Sequence, residues 1–175
     1  MLTTDELPRP RAIVDTDRFD AVVRLPIGCV GVRTHGAYVQ EISFLPEGAH
    51  GKAAATELGK RAVEALVAYC ADASVPIALP LAIEGTDFQR RVWNEICAIA
   101  PGATRSYGEI ARRLGSVARA VGQACGDNRL PLAIPCHRVV AASGIGGFAH
   151  RRGGAYERIK RWLLLHEAGC VLRLT

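Results

Sequence analysis

The chain of 175 residues is 49% hydrophobic and 22% charged, which is ordinary for a folded protein of one domain or two small ones. It lacks an apolar run of the roughly 18 residues that a membrane span needs, and its polar, acid-containing N-terminus is unlike a secretory signal, so we expect a cytoplasmic protein. The net charge of +5 conceals a division: residues 1–85 hold 8 Lys/Arg and 11 Asp/Glu, a net of −3, whereas residues 86–175 hold 14 and 6, a net of +8.

The basic second half indicates a polyanionic partner. All but one of its 14 basic residues are arginines, whose guanidinium group suits bidentate phosphate contacts and stacking. An arginine-rich surface that serves only solubility explains the charge equally well.

The first half predicts a small antiparallel sheet with one helix against it. Short β-type runs separated by turn signals lie at Ala21–Arg24, Cys29–Thr34 and Ala37–Phe44. His35-Gly36 is typical of a tight hairpin turn, and residues 53–71 have the apolar spacing of a helix. We identify no catalytic residue in this half.

Neither the acidic residues nor the cysteines predict a metal site. A metal cluster and a solvated acidic loop are both compatible with Asp15, Asp17 and Asp20, and the loop is the simpler interpretation. The six cysteines contain no C-x-x-C pair and no zinc-ribbon spacing, and in the cytoplasm we expect them to be thiols: Cys29, Cys70, Cys97, Cys125, Cys136 and Cys170.

Residues 74–85 contain two prolines and predict a linker with one strand-like piece. The second half begins sharply at Thr86, which forms a capping box with Gln89 in front of an amphipathic helix. Pro101-Gly102 ends that helix.

A pair of short helices follows. Ser106 opens a second capping box, and its helix stops at Gly115. Ser116 is then expected to cap a helix from Val117 to about Cys125. Two short helices joined by a glycine-containing turn are typical of a helix-turn-helix, but such pairs also occur as structural corners.

The last of these helices has two different faces. We expect Val117, Val121 and Ala124 to be buried. The opposite face carries Ala118, Arg119, Gly122 and Gln123. Small side chains let a helix backbone approach a groove floor, and a long cation among them reaches into the base stack, so this face is typical of a protein that reads the minor groove of DNA.

Cys136 is the candidate nucleophile. It follows the apolar run 130–134 and Pro135, and it precedes His137 and Arg138. Cysteine reacts as the thiolate, and nearby positive charge lowers the thiol pKa. Because neighbouring side chains in a strand point apart, we expect no direct contact between Cys136 and His137. A buried structural cysteine beside a hydrogen-bonded histidine is the alternative.

Five motifs occur in order between residues 85 and 170: GTDFQRRVW, SYGEIARRLG, ARAVG, IPCHRVV and WLLLHEAG. Through them the sequence resembles the 6-O-methylguanine-DNA alkyltransferases (methylated-DNA–protein-cysteine methyltransferases), and IPCHRVV is the most specific of the five. The resemblance implies an α+β fold. Residues 1–84 would form a ribonuclease-H-like support domain with its linker, and residues 85–175 a winged-helix-like domain that contains the helix-turn-helix and the active site.

The resemblance implies DNA repair by direct reversal. An alkyl group would move irreversibly from 6-O-alkylguanine, and also from 4-O-alkylthymine, to Cys136, so that each molecule acts once. The damaged base would be flipped out of double-stranded DNA, which the protein contacts in the minor groove. No cofactor, metal or membrane is implied, and we expect a monomer.

The resemblance also implies roles for individual residues. His137 would take the proton of Cys136 through a water molecule, and Glu167 would orient His137. Tyr107 would turn the target phosphate and protonate the departing guanine, and Arg119 would fill the gap in the base stack. Asn128 would brace the loop before Cys136. Further DNA contacts are implied for Ala118, Gly122, Gln123 and Ser106, and pocket positions for Cys125, Pro131, Val139, Phe148 and Ala149.

The sequence departs from the family pattern in two places. Arg129 follows Asn128 where the family usually has proline, which predicts either a looser loop or an added phosphate contact. Residues 146–154 are about four residues longer than usual and carry Phe148 in place of tyrosine, which leaves the alkyl-size preference open. The added residues would contact DNA or form a solvated loop: His150, Arg151 and Arg152.

Three other functions are compatible with parts of the sequence. A protein that binds alkylated DNA without repairing it would lack the acceptor cysteine, whereas Cys136 is present. A helix-turn-helix regulator would be expected to carry a further regulatory domain. A thiol hydrolase or redox sensor built on Cys136 and His137 leaves Arg119 and the basic half unexplained.

Overall fold

The computed structural model describes residues 15–150 and 153–169, and its first part is an antiparallel sheet. The strands, in the order β1-β2-β3, are β1 Ala21–Leu25, β2 Gly28–His35 and β3 Tyr38–Phe44. All three predicted strands are therefore confirmed. The hairpin turn is formed by Gly36-Ala37, one residue later than predicted, because His35 still pairs with Tyr38. Gly36 has the positive φ, 57°, that such a turn requires.

Helix α1 spans Glu57–Ala71 and packs against the sheet. It begins four residues later than predicted because Thr56 caps it, its hydroxyl accepting a hydrogen bond from the Gly59 N–H at 2.9 Å. Its buried face carries Ala62, Leu66 and Tyr69, whose spacings of four and three place them on one side of the helix.

Residues 74–85, which the structure describes throughout, contain no strand. The predicted strand-like piece is reduced to a single bridge, in which Val39 donates to the Pro80 carbonyl at 2.8 Å and accepts from Ala82 at 2.9 Å. Proline has no N–H to donate, which limits how far such pairing can extend.

The second half contains three helices before the candidate nucleophile: α2 Asp87–Cys97, α3 Tyr107–Leu114 and α4 Ala118–Gly126. Both predicted capping boxes are present, Thr86 with Gln89 and Ser106 with Glu109. Gly115 ends α3 with a left-handed φ of 63°. The predicted pair of short helices joined by a glycine turn is therefore confirmed.

The beginning of α4 differs from the prediction. Ser116 belongs to the end of α3, where its N–H donates to the Ala111 carbonyl at 2.9 Å, so Val117 becomes the N-cap and makes no side-chain capping bond. Val117 is 65% exposed and does not belong to the buried face. That face is instead formed by Val121, Ala124 and Cys125.

Cys136 lies in a 3₁₀ turn, Cys136–Arg138, rather than at the end of a strand. The expectation of neighbouring side chains on opposite faces of a strand was therefore wrong, although adjacent side chains in a 3₁₀ turn still diverge by about 120°. The turn leads into β5, Val139–Val140, which pairs in parallel with β4, Arg105–Ser106. Helix α5, Gly154–Glu167, is the last element of the described residues.

The larger of two hydrophobic clusters in the described residues joins the sheet to the helices. It includes Val30 of β2, Leu66 of α1, Ile96 of α2, Ile110 of α3 and Leu163 of α5, all fully buried. The mixed helix-and-sheet architecture is thus confirmed, whereas the ribonuclease-H-like and winged-helix-like labels and the boundary at residue 84 stay predictions. Within the described residues, no helix has the length and apolar character to cross a membrane.

Glu41 of β3 ties the sheet to the segment that precedes Cys136. Its buried carboxylate pairs with Arg18, with Arg33 at 3.3 Å and with Arg129 at 3.5 Å. The neighbouring Ile42 N–H donates to the Arg129 carbonyl at 2.9 Å. Arg129 therefore anchors its loop to the sheet, a contact that neither sequence-based expectation for this position anticipated.

We predict that Glu41→Gln lowers the free energy of unfolding by about 1–2 kcal/mol, because it removes a buried charge that three guanidinium groups share. Denaturant unfolding measures this loss. Glu47→Gln is the matched control, since Glu47 is 97% exposed and lies 4.0 Å from Arg158; it should leave the midpoint unchanged. Equal stability of both variants would contradict the anchoring role of Glu41.

Candidate active site

An open cavity of about 880 Å³ lies between α4 and the segment 141–150. Cys136 and Tyr107 line it, together with the face of α4 that the sequence singled out: Ala118, Arg119, Gly122 and Gln123. Arg119 is exposed and forms no ion pair with any described residue. The candidate nucleophile and the candidate DNA-reading face therefore share one cavity.

Asn128 holds the thiol of Cys136 and the preceding turn together. Its amide nitrogen donates to the Ile134 carbonyl at 2.9 Å and to Cys136 Sγ at 3.2 Å. Its amide oxygen accepts from the Leu130 N–H at 2.9 Å. These contacts are the ones that a brace for this loop would make.

Burial raises the pKa of the Cys136 thiol, and this effect exceeds the lowering by the Asn128 hydrogen bond and by the charge of Lys160. The sequence-based expectation that His137 and Arg138 lower the pKa was wrong. Burial lowers the pKa of His137 and so favours its neutral form, and the guanidinium group of Arg138 is engaged by Glu167. The thiol is therefore protonated at rest and needs a base.

His137 has the arrangement of a base. Its side chain is completely buried, and Nε2 lies 2.8 Å from Glu167 Oε1. Because a carboxylate only accepts hydrogen bonds, Nε2 carries the proton and Nδ1 keeps a lone pair. Nδ1 is buried and has no hydrogen-bond partner among the described residues.

Glu167 is the centre of a hydrogen-bonded group that the sequence only partly predicted. Besides His137, its oxygens accept from Arg138 Nε and Nη2 at 2.9 Å, from the Tyr69 hydroxyl at 2.7 Å and from the Gly102 N–H at 3.2 Å. Burial raises the pKa of Glu167, but the hydrogen bonds from His137, Arg138 and Tyr69 outweigh it and hold the pKa well below its usual range. The carboxylate is therefore ionised.

Lys160 lies beneath the cavity and was not predicted. Its ammonium group is fully buried and donates to the carbonyls of Val139 at 2.6 Å and Gly147 at 2.9 Å. Tyr107 donates to the same Gly147 carbonyl at 3.2 Å. Burial lowers the pKa of Lys160 to about 8. The one signal in the sequence was that this residue is the single lysine among the 14 basic residues of the second half.

The predicted pocket residues divide into two groups. Cys125, Phe148 and Ala149 line the cavity, and their contact with substrate stays a prediction. Pro131 and Val139 are buried and do not line it; Pro131 belongs to the tight turn 130–134 and Val139 to β5.

Ser106, predicted to contact DNA, lies outside the cavity lining. Its hydroxyl accepts from the Glu109 N–H at 3.1 Å and lies 2.8 Å from the Glu109 carboxylate. The hydroxyl is thus engaged in the capping box that begins α3.

The long segment after Gly146 is anchored at two points. Phe148 is buried and its ring lies 5.4 Å from that of Phe44 in β3. His150 Nε2 lies 2.7 Å from Asp127 at the end of α4. The His150 side chain is half-exposed, but this contact attaches it to α4. Arg151 and Arg152, for which DNA contacts were considered, lie outside the described residues.

The acidic residues before β1 are engaged in local contacts. Asp20 accepts from the Thr34 hydroxyl at 2.9 Å, and Asp15 accepts from the Asp17 N–H at 3.0 Å. Across residues 15–150 and 153–169, no group of three His, Cys, Asp or Glu side chains is arranged to hold a metal ion. The cysteines in this part of the chain are free thiols.

Comparison with known proteins adds independent evidence. The family model for the DNA-binding domain of 6-O-methylguanine DNA methyltransferase matches residues 87–169. The methylated-DNA–protein-cysteine methyltransferase of Mycolicibacterium paratuberculosis is 43% identical over 117 residues, which is 65% of this chain and 68% of that protein. The regulatory protein ada of Salmonella typhimurium is 42% identical over 129 residues, or 72% of this chain and 35% of that protein.

Solved structures agree over a larger part of the chain. The crystal structure of the Mycobacterium tuberculosis O6-methylguanine methyltransferase superposes with a TM-score of 0.71 at 35% identity, covering 87% of this chain and 93% of that one. Mycobacterium tuberculosis OGT in complex with DNA gives a TM-score of 0.72 at 34% identity, covering 85% and 92%. With such identity over 68% of a relative's length and a shared fold over 93% of a solved structure, this chain belongs to the methylated-DNA–protein-cysteine methyltransferase family.

Proposed function

We propose that this protein repairs DNA by direct reversal, transferring a methyl or other alkyl group from O6 of guanine to Cys136, once per molecule. The observation that carries the proposal is the shared cavity, in which the Cys136 thiol meets the exposed face of α4. The names of the relatives describe the same transfer from methylated DNA to a protein cysteine, and one structural neighbour is a complex with DNA. O4-alkylthymine is a second substrate of the same chemistry.

The transfer is a single displacement. The Cys136 proton passes to Nδ1 of His137 through a water molecule, and the ionised Glu167 stabilises the resulting imidazolium. The thiolate sulfur attacks the alkyl carbon, forming the C–S bond as the C–O6 bond breaks. Guanine leaves as an anion and takes a proton from Tyr107, and solvent returns a proton to the Tyr107 phenolate while the His137 imidazolium releases the one that it took from Cys136. The step balances without a cofactor, and the thioether product is stable, so the protein is consumed.

Residues of α4 bring the base to the thiol. Ala118 and Gly122 let the helix backbone approach the minor groove, and Arg119 enters the stack in place of the flipped base. Tyr107 turns the target phosphate and Gln123 contacts the DNA, whereas the hydroxyl of Ser106 stays in the capping box of α3. Asn128 keeps the turn before Cys136 in register, as its three hydrogen bonds support.

We further infer that the protein acts as a monomer in the cytoplasm, where cysteines stay reduced. The residues 1–84 form the support domain and the residues 85–175 the alkyltransferase domain.

The first prediction of this proposed function concerns stoichiometry. With excess DNA containing 6-O-methylguanine, each protein molecule should gain one methyl group, located on the peptide that contains Cys136, and repair should stop at one product per protein. Intact-mass and peptide mass spectrometry measure both quantities. Cys136→Ala should bind the DNA and transfer nothing. Continued turnover, or a methyl group on Cys125, would refute the mechanism.

The second prediction concerns salt. Because each phosphate that an arginine neutralises releases counterions, the affinity for DNA should fall by more than about tenfold between roughly 50 and 200 mM salt. Fluorescence anisotropy with a labelled duplex measures this. An affinity that does not change with salt concentration over that range would contradict the proposal that DNA is the partner of the basic half.

The third prediction separates DNA distortion from chemistry. Flipping a paired base costs a few kcal/mol, so Arg119→Ala should slow single-turnover repair of duplex DNA on the order of 10- to 100-fold. The free modified base needs no flipping, and its rate should be nearly unchanged.

Arg112→Ala is the matched control, because Arg112 is also exposed but lies on α3, outside the cavity lining. It should weaken DNA binding modestly and leave the saturated rate intact. Equal slowing of both substrates by Arg119→Ala would show that Arg119 is a structural residue and not the group that fills the stack.

A further inference from the structure

Tyr69 belongs to α1 in the N-terminal half, yet its hydroxyl lies within the hydrogen-bonded group around Glu167. The side chain is buried, and its oxygen lies 2.7 Å from Glu167 Oε1 and 3.5 Å from His137 Nε2. A separation of 98 residues along the chain divides Tyr69 from Glu167. This contact therefore forms only when α1 packs onto α5.

The phenol of Tyr69 is held in place by contacts besides its hydroxyl. The Tyr69 carbonyl accepts from His166 Nε2 at 2.7 Å. The Tyr69 ring meets the His166 ring edge-on, with centroids 5.6 Å apart, and Trp162 stacks on His166 at 4.6 Å. The hydroxyl is thus directed at Glu167 by a rigid packing arrangement.

The hydroxyl acts as a donor to Glu167. Burial, followed by the hydrogen bond to Glu167, raises the pKa of Tyr69, so the phenol keeps its one proton. That proton goes to Oε1, the oxygen that also accepts from His137 Nε2 and from Arg138 Nη2. Each donor draws charge from the shared oxygen, so donation by Tyr69 weakens the attraction of Oε1 for the His137 proton.

We propose that Tyr69 is a positioning residue of the alkyl-transfer reaction, which through Glu167 sets the orientation and the basicity of His137. The inference rests on the proposed function, in which His137 takes the proton of Cys136. Through Tyr69, the N-terminal half then contributes to the chemistry. The sequence had indicated no catalytic residue in that half.

The sign of the effect follows from the groups around His137 and Tyr69. These are Glu167, Lys160 and His166 of α5, Arg138 and Cys136 of the 3₁₀ turn, Cys97 of α2 and Cys70 of α1. Glu167 favours protonated His137, whereas Arg138 and Lys160 oppose it. Removing the Tyr69 hydroxyl leaves these groups in place and returns charge to Oε1. The imidazolium is then better stabilised, and the pKa of His137 rises.

Tyr69→Phe tests this directly, with Tyr38→Phe as the matched control because Tyr38 is 54% exposed on β3. Two quantities are measured: the pKa of His137 from the nitrogen chemical shifts of its ring, and the pH dependence of single-turnover methyl transfer at saturating DNA. In Tyr69→Phe, the pKa of His137 and the acid limb of the rate profile should both move upward by about 0.5 pH unit. At pH values below the acid limb, the rate of Tyr69→Phe should be roughly threefold lower than that of the wild-type protein. Its affinity for DNA should be unchanged.

Two further variants establish the route. In a Glu167→Gln background, Tyr69→Phe should have no additional effect, because its influence passes through the carboxylate. Replacing Tyr69 with 3-fluorotyrosine keeps the packing but strengthens the donor, so the acid limb should move downward. This variant decides the question even where Tyr69→Phe proves too unstable to assay.

The proposal is overturned if Tyr69→Phe and the fluorinated variant change only the melting temperature, or if the loss persists unchanged in the Glu167→Gln background. Absence of methyl transfer by the wild-type protein would instead refute the proposed function. The His137 titration needs no substrate, so it still decides the role of Tyr69 in that case.

Discussion

The side chain of Glu167 is only 1% exposed and is ionised, in a place where donors from the protein must replace water. Removing a carboxylate from water costs several kcal/mol unless such donors are present. Here they come from separate segments: His137 and Arg138 on the 3₁₀ turn, Tyr69 on α1 and the N–H of Gly102 after α2. Together these donors stabilise the buried charge. Because these donors come from both halves of the chain, the packing that stabilises the Glu167 carboxylate also places it beside His137, the candidate base.

Burial has a different consequence for Cys136. Its pKa is raised by burial, and a neutral thiol is a weak nucleophile and a poor target for oxidants. In the proposed reaction, His137 removes the proton once the substrate is in place, and the buried charge of Lys160 favours the thiolate that forms. A protein that reacts once loses all its activity in a single wrong reaction. A thiol that is unreactive at rest is suited to such chemistry, although the sequence suggested an activated one.

Local signals predicted most of the fold, and long-range contacts account for what the sequence did not reveal. The capping boxes at Thr86 and Ser106 are decided within three residues of sequence, and both were predicted correctly. Val117 was predicted to be buried because its spacing fits the apolar stripe. In the structure, Ser116 continues the turn that ends α3, so Val117 becomes the N-cap of α4 and lies outside the core. Tyr69 gave no signal, since its role depends on a partner 98 residues away. The motif around Cys136 made it the candidate nucleophile, but the motif could not reveal the burial that raises the pKa of the thiol.

The two residues that depart from the family pattern both contact strand β3. Arg129, where the family usually has proline, pairs with Glu41 of β3, and Phe148, where it more often has tyrosine, packs on Phe44 of β3. The first residue precedes Cys136 in the chain and the second lines the cavity, so β3 supports the site from both sides. A proline at 129 could not form the ion pair, and a tyrosine at 148 would bring a hydroxyl into a buried aromatic contact, where it needs a partner. Both residues therefore attach the N-terminal sheet to the segments around the candidate active site.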